Sequence, residues 1–206
     1  MGIVERRERE REEVRRKILD AAQELFASEG YDRVTMRRVA EAIEYSPTTI
    51  YHHFEDKDDL VSALCEEDFS KLLALFEGQP PPADPVERVR QLGRAYATFG
   101  LQNPNHYRFM FMTPAKFERV PQASASGVQS FSLFRTAVEK AIATGKFRPG
   151  DPQALAQVLW ASLHGAVALL ITLQPQHWPE GAAAPDLVER VIENGIRGMV
   201  ARPPRD

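Results

Sequence analysis

Hydroxyl, phenol and imidazole groups are concentrated in one short segment of the chain, which reads SPTTIYHHFEDK from Ser46 to Lys57. A threonine side chain offers a hydroxyl and a methyl group, so it suits both polar base edges and the thymine methyl group. Tyrosine and histidine carry donors that reach phosphate oxygens, and a lysine ammonium group attracts phosphate charge. The segment therefore has the chemistry of nucleic-acid recognition.

Two short helices must position this segment. A capping threonine starts a helix predicted over residues 35–43, and a Ser-Pro pair starts a second one predicted over residues 46–54. Only Glu44-Tyr45 separates them, which is the spacing of a helix-turn-helix whose second helix reads DNA. From the spacing alone, two ordinary short helices of a bundle remain the alternative.

The second of these helices divides into two faces. At about 100° per residue, Ile50 and Phe54 point inward, while Thr48, Tyr51 and His52 point roughly the opposite way. The outward face thus carries the polar groups, so helical geometry and side-chain chemistry favour the same interpretation.

Apolar residues recur at helical spacing along the whole chain, and no strand pattern is present. The remaining stripes predict helices at about 10–28, 57–76, 85–102, 105–112, 123–145, 151–174 and 184–201. The predicted fold class is all-α, with an N-terminal three-helix helix-turn-helix domain and a larger C-terminal helical bundle. A break rich in proline follows residue 77, which gives a DNA-binding domain over residues 1–57, a connecting helix over 58–77 and an effector-binding and dimerisation domain over 78–206.

Composition excludes several classes of protein. With 43% hydrophobic and 27% charged side chains in 206 residues, the chain resembles soluble globular proteins. The single cysteine, Cys65, forms no intrachain disulfide, and no apolar signal segment is found. The longest apolar run, from Ala166 to Leu173, is short of the ~20 residues that span a bilayer. We therefore expect a cytoplasmic protein without a membrane partner.

Residues for catalysis or metal binding do not form a recognisable constellation. The histidines are scattered, and none has i,i+4 spacing with an added carboxylate. Neither a nucleophile elbow nor a phosphate-binding glycine loop is present. The sequence therefore predicts no catalytic residue, no metal and no cofactor.

The run RRKILDAAQELFASEGYDRVTMRRVAEAIEYSPTTIYHHFEDKDDLVSAL resembles the DNA-binding domain of the tetracycline-repressor (TetR) family over about residues 13–64. The matching motifs are the ILDAAQELFASEGYD first helix and its exit, the T-x-R-x-VA second helix and the S-P-T-T-I-Y-H-H-F recognition helix. By position, the resemblance implies base contacts at Arg37, Pro47, Thr48 and Thr49, and phosphate contacts at Thr35, Tyr51, His52 and Lys57.

One turn position departs from the family pattern. It is commonly glycine in the family and is Glu44 here. A residue other than glycine is disfavoured in a left-handed turn conformation, and a carboxylate near DNA is repulsive. An altered turn is therefore the expected departure from the family geometry.

The C-terminal half resembles the TetR subgroup with a Trp…His-Gly signature, here Trp160, His164 and Gly165. This resemblance implies a homodimer through the helices near 151–174 and 184–201, and an effector cavity in each C-terminal domain. The residues expected to contact the effector are Tyr96, Phe99, Phe109, Met110, Phe131, Phe134, Trp160 and His164, most of which also suit a plain core.

Charge leaves one alternative open at the N-terminus. Residues 1–57 carry 11 basic and 13 acidic side chains, a net charge of −2, so DNA binding requires the basic groups to gather on one face. The mixed run from Glu5 to Lys17 is predicted to be a solvated helical extension, with a groove-contacting arm as the alternative.

These features together predict a ligand-responsive transcription regulator. It would be a repressor that binds a palindromic operator in double-stranded DNA as a dimer and is released by a small, largely apolar effector. The alternative is an enzyme or a small-molecule carrier that contains a helix-turn-helix. The missing catalytic constellation counts against the enzyme, and a carrier would bind its ligand without DNA.

Overall fold

A computed structural model describes residues 2–112, 124–173 and 184–201. The chain forms α1 (Ile3–Glu29), α2 (Met36–Ala42), α3 (Pro47–Tyr51), α4 (Lys57–Glu77), α5 (Pro85–Gln102), α6 (Pro104–Met112), α7 (Ala125–Ala143), α8 (Pro152–Thr172) and α9 (Ala184–Met199), with a 3-10 turn at Tyr31–Arg33. Within the described ranges there is no strand, and Phe147 and Val200 form an isolated antiparallel bridge. The predicted all-α fold class is confirmed.

Side-chain caps start the two short helices where the sequence predicts them. The Thr35 hydroxyl accepts a hydrogen bond from the backbone N–H of Arg38 at 3.1 Å, and the Ser46 hydroxyl accepts one from the N–H of Thr49 at 3.2 Å. These bonds satisfy N–H groups that have no partner inside the helix.

Helix α3 is shorter than predicted, since it ends at Tyr51 and not at residue 54. The N–H groups of His53 and Phe54 both donate to the carbonyl of Ile50, at 2.9 and 3.0 Å. This tight turn closes the helix and brings the Phe54 ring into the core, where it is 1% exposed.

Helix α1 is longer than predicted, because it begins at Ile3 and not near residue 10. Its residues 4–13 are exposed to solvent. An Arg6–Glu10 pair at 2.8 Å has the i,i+4 spacing that supports an isolated helix. The structure confirms that this segment is helical and exposed in the free chain, and the alternative of a DNA-contacting arm stays open.

The chain divides into two compact units. The first contains residues 1–68 and 109–124, and the second contains residues 69–108 and 125–206. Helices α4 and α6 each contribute residues to both units. The domain boundaries expected at residues 57 and 77 stay predictions.

The first unit is built around the apolar stripe of α1. Ile18 and Ala22 of this helix are fully buried, as are Val39 of α2 and Ile50 of α3. Leu60 on the first turn of α4 completes this core. The helix-turn-helix is therefore fastened to α1 and α4 by buried apolar side chains.

The second unit is a bundle of α5, α7, α8 and α9, in which α8 packs against each of the other three. Glycines allow the helices to approach closely. A Cβ atom at Gly100 would lie 2.7 Å from Val167, and one at Gly195 would lie 2.4 Å from Leu159. Neither distance is available to a side chain without rearrangement, so helix α8 packs directly over glycine on α5 and α9.

Ion pairs join α5 to α9 on the surface of this bundle. Arg90 contacts Glu193 at 2.6 Å, and Arg94 contacts Glu189 at 2.7 Å. These hydrogen-bonded guanidinium groups lower the pKa values of both glutamates. Both arginines also contact Glu87, which links the two pairs into one network.

Helix α8 is the one helix of the described ranges that is long and apolar enough to cross a membrane. The apolar run from Ala166 to Leu173 is shorter than the apolar part of α8, which also includes Gly165 and the other alanines of the helix. Length and composition are weak grounds here, since core helices of soluble proteins meet the same test. Only 28% of the apolar window is buried within the single chain.

Candidate nucleic-acid interface and aromatic cluster

Helix α3 presents the two faces that the sequence predicts. Ile50 is fully buried, whereas Thr48 and His52 are exposed and Tyr51 is 56% exposed. Pro47 is exposed at the start of the helix. The outward face therefore offers a hydroxyl, a phenol and an imidazole to a partner.

The two adjacent threonines of α3 differ in their bonding. The Thr49 hydroxyl lies 3.0 Å from the Ser46 hydroxyl and is half-buried at the capped end of the helix. The Thr48 hydroxyl forms no hydrogen bond with any residue that the structure describes. Thr48 is thus the threonine whose polar group is available to another molecule.

The arginines of α2 are paired with carboxylates of the same unit. Arg37 contacts Glu41 at 3.3 Å, in a pair whose side chains are 82% and 56% exposed. Arg38 donates two hydrogen bonds to one carboxylate oxygen of Glu29, at 3.1 and 2.9 Å. Both pairs are solvated, and exposed pairs of this kind contribute only about 0–1 kcal/mol.

Lys57 is engaged with the 3-10 turn. Its ammonium group donates to the carbonyl oxygen of Tyr31 and lies 3.8 Å from the centre of the Tyr31 ring. Burial lowers the pKa of Lys57. The Tyr31 hydroxyl donates to Asp58 at 3.2 Å, so the first turn of α4 is tied to the exit of α1 by two polar contacts.

The turn between α2 and α3 keeps a left-handed geometry despite its glutamate. Glu44 has a φ of 59°, the one positive φ at a residue other than glycine within the described ranges. The N–H of Tyr45 donates to the carbonyl of Ala40 at 3.0 Å, and the N–H of Glu44 donates to that of Glu41 at 3.3 Å. This is the Schellman motif. The expected alteration of the turn does not occur, because two backbone hydrogen bonds hold Glu44 in the conformation.

The same motif ends α7 with the residue that such a position favours. There Gly145 has a φ of 72°, and Lys146 and Gly145 donate to Ala141 and Ile142 at 3.0 and 2.9 Å. Glu44 therefore takes the place that a glycine occupies elsewhere in the chain.

A buried polar network lies inside the second unit. The Tyr107 hydroxyl is 2.6 Å from Nδ1 of His164 and 2.9 Å from the Tyr96 hydroxyl. The Trp160 side chain also forms a hydrogen bond with Tyr96. Burial lowers the pKa of His164 and raises that of Tyr107 to about 12. A neutral imidazole and two protonated phenols therefore share this network. Nδ1 accepts from a phenol in the Nε2–H tautomer and donates to a phenol oxygen in the Nδ1–H tautomer.

The predicted effector residues are only partly brought together. Tyr96, Trp160 and His164 share the network, and the Phe131 ring lies 6.3 Å from that of Trp160. Phe99 is buried and Phe134 is half-buried in the same unit. We call Tyr96, Tyr107, Phe131, Trp160 and His164 the aromatic cluster.

Two predicted effector residues belong to the first unit instead. The Phe109 ring lies 5.2 Å from that of Phe26 and packs against the core of the DNA-binding helices. Met110 is half-buried in that unit. Their spacing on α6 is helical, but the sequence does not show that this helix changes units after residue 108.

An open cleft of about 280 Å³ in the second unit has a different character. Its lining includes Glu87, Gln91, Arg94 and Thr98. None of the predicted effector residues lines it. The charged groups of this cleft already pair with each other, so it does not suit an apolar ligand.

Two family models match the chain. The model of bacterial regulatory proteins of the tetR family matches residues 18–64, and that of the tetracyclin repressor-like C-terminal domain matches residues 89–194. The second match alone spans half of the chain. The chain belongs to the TetR family.

Curated relatives of this TetR-family chain match its DNA-binding part. The HTH-type transcriptional repressor Rv1474c of Mycobacterium tuberculosis is 49% identical over 61 residues, which are 30% of this chain and 33% of that protein. The HTH-type transcriptional regulator UidR of Escherichia coli K12 is 32% identical over 80 residues, 39% of this chain and 38% of that protein. The chain thus matches little more than a third of the length of these relatives.

Solved structures match almost the whole of this TetR-family chain. A protein of unknown function from Rhodococcus sp. RHA1 superposes with a TM-score of 0.76 at 26% identity, covering 91% of this chain and 95% of that one. A putative tetR-family regulator from Shewanella sp. PV-4 has a TM-score of 0.71 at 16% identity, with coverages of 91% and 98%. The family and its relatives are DNA-binding transcription regulators and not enzymes.

Sequence reasoning on this TetR-family protein missed the contacts that α1 makes beside the recognition helix. The Arg15 guanidinium donates to the carbonyl of His53 at 3.4 Å and lies 4.4 Å from the centre of the Phe54 ring. Lys17 lies 6.0 Å from the Tyr45 ring centre. No local spacing pattern predicts these contacts, since the residues of each pair are 28 to 39 positions apart in the sequence.

We expect Glu44→Gly to stabilise this TetR-family protein by about 0.5–1 kcal/mol. Glycine relieves a left-handed strain of roughly 1–2 kcal/mol, and its greater flexibility in the unfolded chain offsets part of that gain. The urea midpoint, followed by circular dichroism, measures the change. Glu44→Gln is the control: it removes the charge, keeps the strained backbone and should leave the midpoint unchanged. An equal rise in both variants would assign the effect to charge and contradict the strain.

Proposed function

We propose that this TetR-family regulator is a repressor that binds a palindromic operator as a homodimer and leaves it when a small, largely apolar effector binds. The observation that carries the proposal is the exposed face of α3, where Thr48, Tyr51 and His52 stand above a buried Ile50. Because its binding target is DNA, the regulator would act in the cytoplasm.

The proposed division of work on DNA follows from bonding and exposure. Thr48, at the leading end of α3, would contact base edges together with Pro47, while Tyr51 and His52 would bind phosphates. Thr35 would add a contact, because its hydroxyl accepts a capping bond and still has a proton to donate. Thr49 would add another, because its hydroxyl shares one hydrogen bond with Ser46 and can form more.

Two basic side chains, Arg37 and Lys57, would have to give up their present partners to contact DNA. The Arg37–Glu41 pair is highly exposed, so its replacement by an Arg37–base contact costs little. Lys57 would give up the Tyr31 carbonyl for a phosphate oxygen, or act through its charge from its present position. We expect Lys57 to contribute less than the side chains of α3.

The exposed face of α8 supports a homodimer. An arc of about 80° on α8 carries no charged side chain and is flanked by the exposed Gln157 and Ser162. It holds five exposed residues and the half-buried Gly165: Ala154, Val158, Ala161, Gly165, Leu169 and Thr172. A Cβ atom at Gly165 would meet nothing within 4 Å. Small residues in open space permit close approach of a second helix, and a two-fold axis would pair α8 and α9 of two copies.

The aromatic cluster supports an effector site in the second unit. Trp160, Phe131 and His164 are half-buried, so they offer ring faces without full closure. The imidazole and the two phenols supply a few polar groups within apolar surroundings, which is the composition of small-molecule sites. Phe99 and Phe134 would complete the wall.

We infer that α4 and α6 carry the effector signal. On α6, Tyr107 belongs to the polar network, and Phe109 belongs to the core of the DNA-binding unit. A ligand that moves Tyr107 would therefore move Phe109 on the same helix. We expect a coupling free energy of about 1–3 kcal/mol.

The first prediction concerns DNA. Selection from a randomised duplex library should enrich an inverted repeat with half-sites about 34–36 Å apart or a multiple of it. The double variant Thr48→Ala/Tyr51→Ala should weaken binding to this operator about 10–100-fold, as loss of base and phosphate contacts requires. Thr144→Ala, at an exposed threonine of the second unit, is the control. Full affinity in the double variant would contradict the assigned faces of α3.

The second prediction concerns assembly. Val158→Glu/Leu169→Glu should convert the dimer to a monomer in analytical ultracentrifugation, because two carboxylates would be buried in the proposed interface. Val128→Glu is a matched control, since Val128 is 59% exposed and Val158 is 60% exposed. A wild-type monomer, or a double variant that remains dimeric, would reject this interface.

The third prediction concerns the effector. In a Trp178→Phe background, an apolar aromatic probe such as anilinonaphthalene sulfonate should quench Trp160 fluorescence and lower operator affinity. His164→Asn should weaken probe binding by about tenfold, the worth of one good hydrogen bond. His106→Asn, a half-buried histidine of α6 outside the cluster, should not. Equal probe binding in both variants would place the site elsewhere.

A further inference from the structure

We propose that the exposed N-terminal part of α1, residues 4–13, is a second DNA-contacting surface, whose Arg7 and Arg11 bind phosphates flanking the half-site read by α3. This inference rests on the proposed function, because it extends the same DNA interface. It is carried by where α1 is anchored, by the spacing of its arginines and by their lack of internal partners.

The anchor is Arg15. Its guanidinium donates to the carbonyl of His53 and lies over the Phe54 ring, in the turn that directly follows the recognition helix. The fourth turn of α1 therefore lies beside the end of α3. Any residue on the same face of α1, closer to its N-terminus, projects from that point into solvent.

Arginines occupy this face at one-turn intervals. Arg7, Arg11 and Arg15 are spaced by four residues, so they lie within an arc of about 80°. The same face continues inward as the apolar stripe that contains Ile18 and Ala22. The face of α1 that is apolar over the core of the first unit is therefore basic where the helix extends beyond that core.

Pairing separates this stripe from Arg6, and position on the helix separates it from Arg9, which lies about 160° from the centre of the stripe formed by Arg7, Arg11 and Arg15. Arg6 is paired with Glu10 at 2.8 Å, on the far side of the helix. Arg7 and Arg11 have no ion pair or hydrogen bond with any residue that the structure describes. Arg11 and Arg15 both act electrostatically on His53, lowering its pKa after the larger effect of burial. The positive charges of Arg11 and Arg15 therefore act on the end of α3.

Phosphates are the partner that this stripe fits. Residues 4–13 include a single large apolar side chain of described exposure, Val4, so the segment lacks the apolar face that a protein partner would bury. From Arg7 to Arg15 the helix rises about 12 Å, which equals more than three base-pair steps of ~3.4 Å measured along the axis of the duplex. The stripe can therefore serve several consecutive phosphates beside the major groove that α3 enters.

The test uses the full-length dimer and the operator selected above. Binding is measured against KCl concentration on two duplexes, one trimmed to the half-sites and one with flanks of roughly ten base pairs. Arg7→Gln/Arg11→Gln should reduce the slope of log K against log [KCl] by about 3.6 on the flanked duplex, since each phosphate contact contributes about 0.9 and the two subunits lose about four contacts together. It should also abolish the gain in affinity that flanks give the wild type.

Arg6→Gln/Arg9→Gln is the matched control. It removes the same charge from the same turns, on the opposite face, and should leave the slope and the flank effect unchanged. Glutamine keeps helix propensity, and circular dichroism verifies that α1 stays helical. Equal slope losses in both double variants, or none in either, would overturn the inference while leaving the proposed function intact. A wild type that enriches no duplex would reject the proposed function, and the inference with it.

Discussion

The burial of Ile50 and Phe54 is the interaction on which the DNA interface depends. A helix of five residues has no stability of its own, since isolated helices shorter than ~12 residues are marginal in water. Burying each of these side chains contributes about 1.5–3 kcal/mol, and the Ser46 cap adds about 1 kcal/mol. The orientation of the polar face of α3 is thus a property of the first unit's core. A change in that core reaches the DNA contacts without touching any of them.

The same constraint accounts for the turn that precedes α3. Between the end of α2 at Ala42 and the start of α3 at Pro47, the chain has four residues in which to turn and still bring Ile50 to the core. A Schellman motif achieves this, and it requires a left-handed residue, here Glu44 with its φ of 59°. Local preference argues for a different turn, so reasoning from the residue type alone expected an alteration. Tertiary packing and two backbone hydrogen bonds outweigh that preference, as they do at strained positions generally.

Local signals made most of the fold predictable. Apolar stripes located every helix of the described ranges, and capping residues such as Thr35 and Ser46 located the starts of the short ones. Partnerships across the sequence were not predictable in this way. The Lys57–Tyr31 contact engages a basic side chain that was expected to bind phosphate, and the Arg38–Glu29 pair joins residues nine positions apart. Such pairings depend on which helices pack together in the fold, and the spacing of residues within one helix does not show this.

Helix α6 is the clearest case in which the spacing of residues in the sequence did not predict their contacts. Tyr107 and Phe109 are two residues apart, so their side chains point about 160° from each other. One joins a buried polar network and the other an aromatic contact with Phe26. An aromatic pair is worth about 0.5–1.5 kcal/mol beyond its buried area, and a buried hydrogen bond about as much. In the proposed mechanism these two contacts lie on one helix, so a displacement of Tyr107 would be passed along α6 to Phe109. Their combined energy matches the coupling expected between an effector and DNA, without a longer chain of contacts.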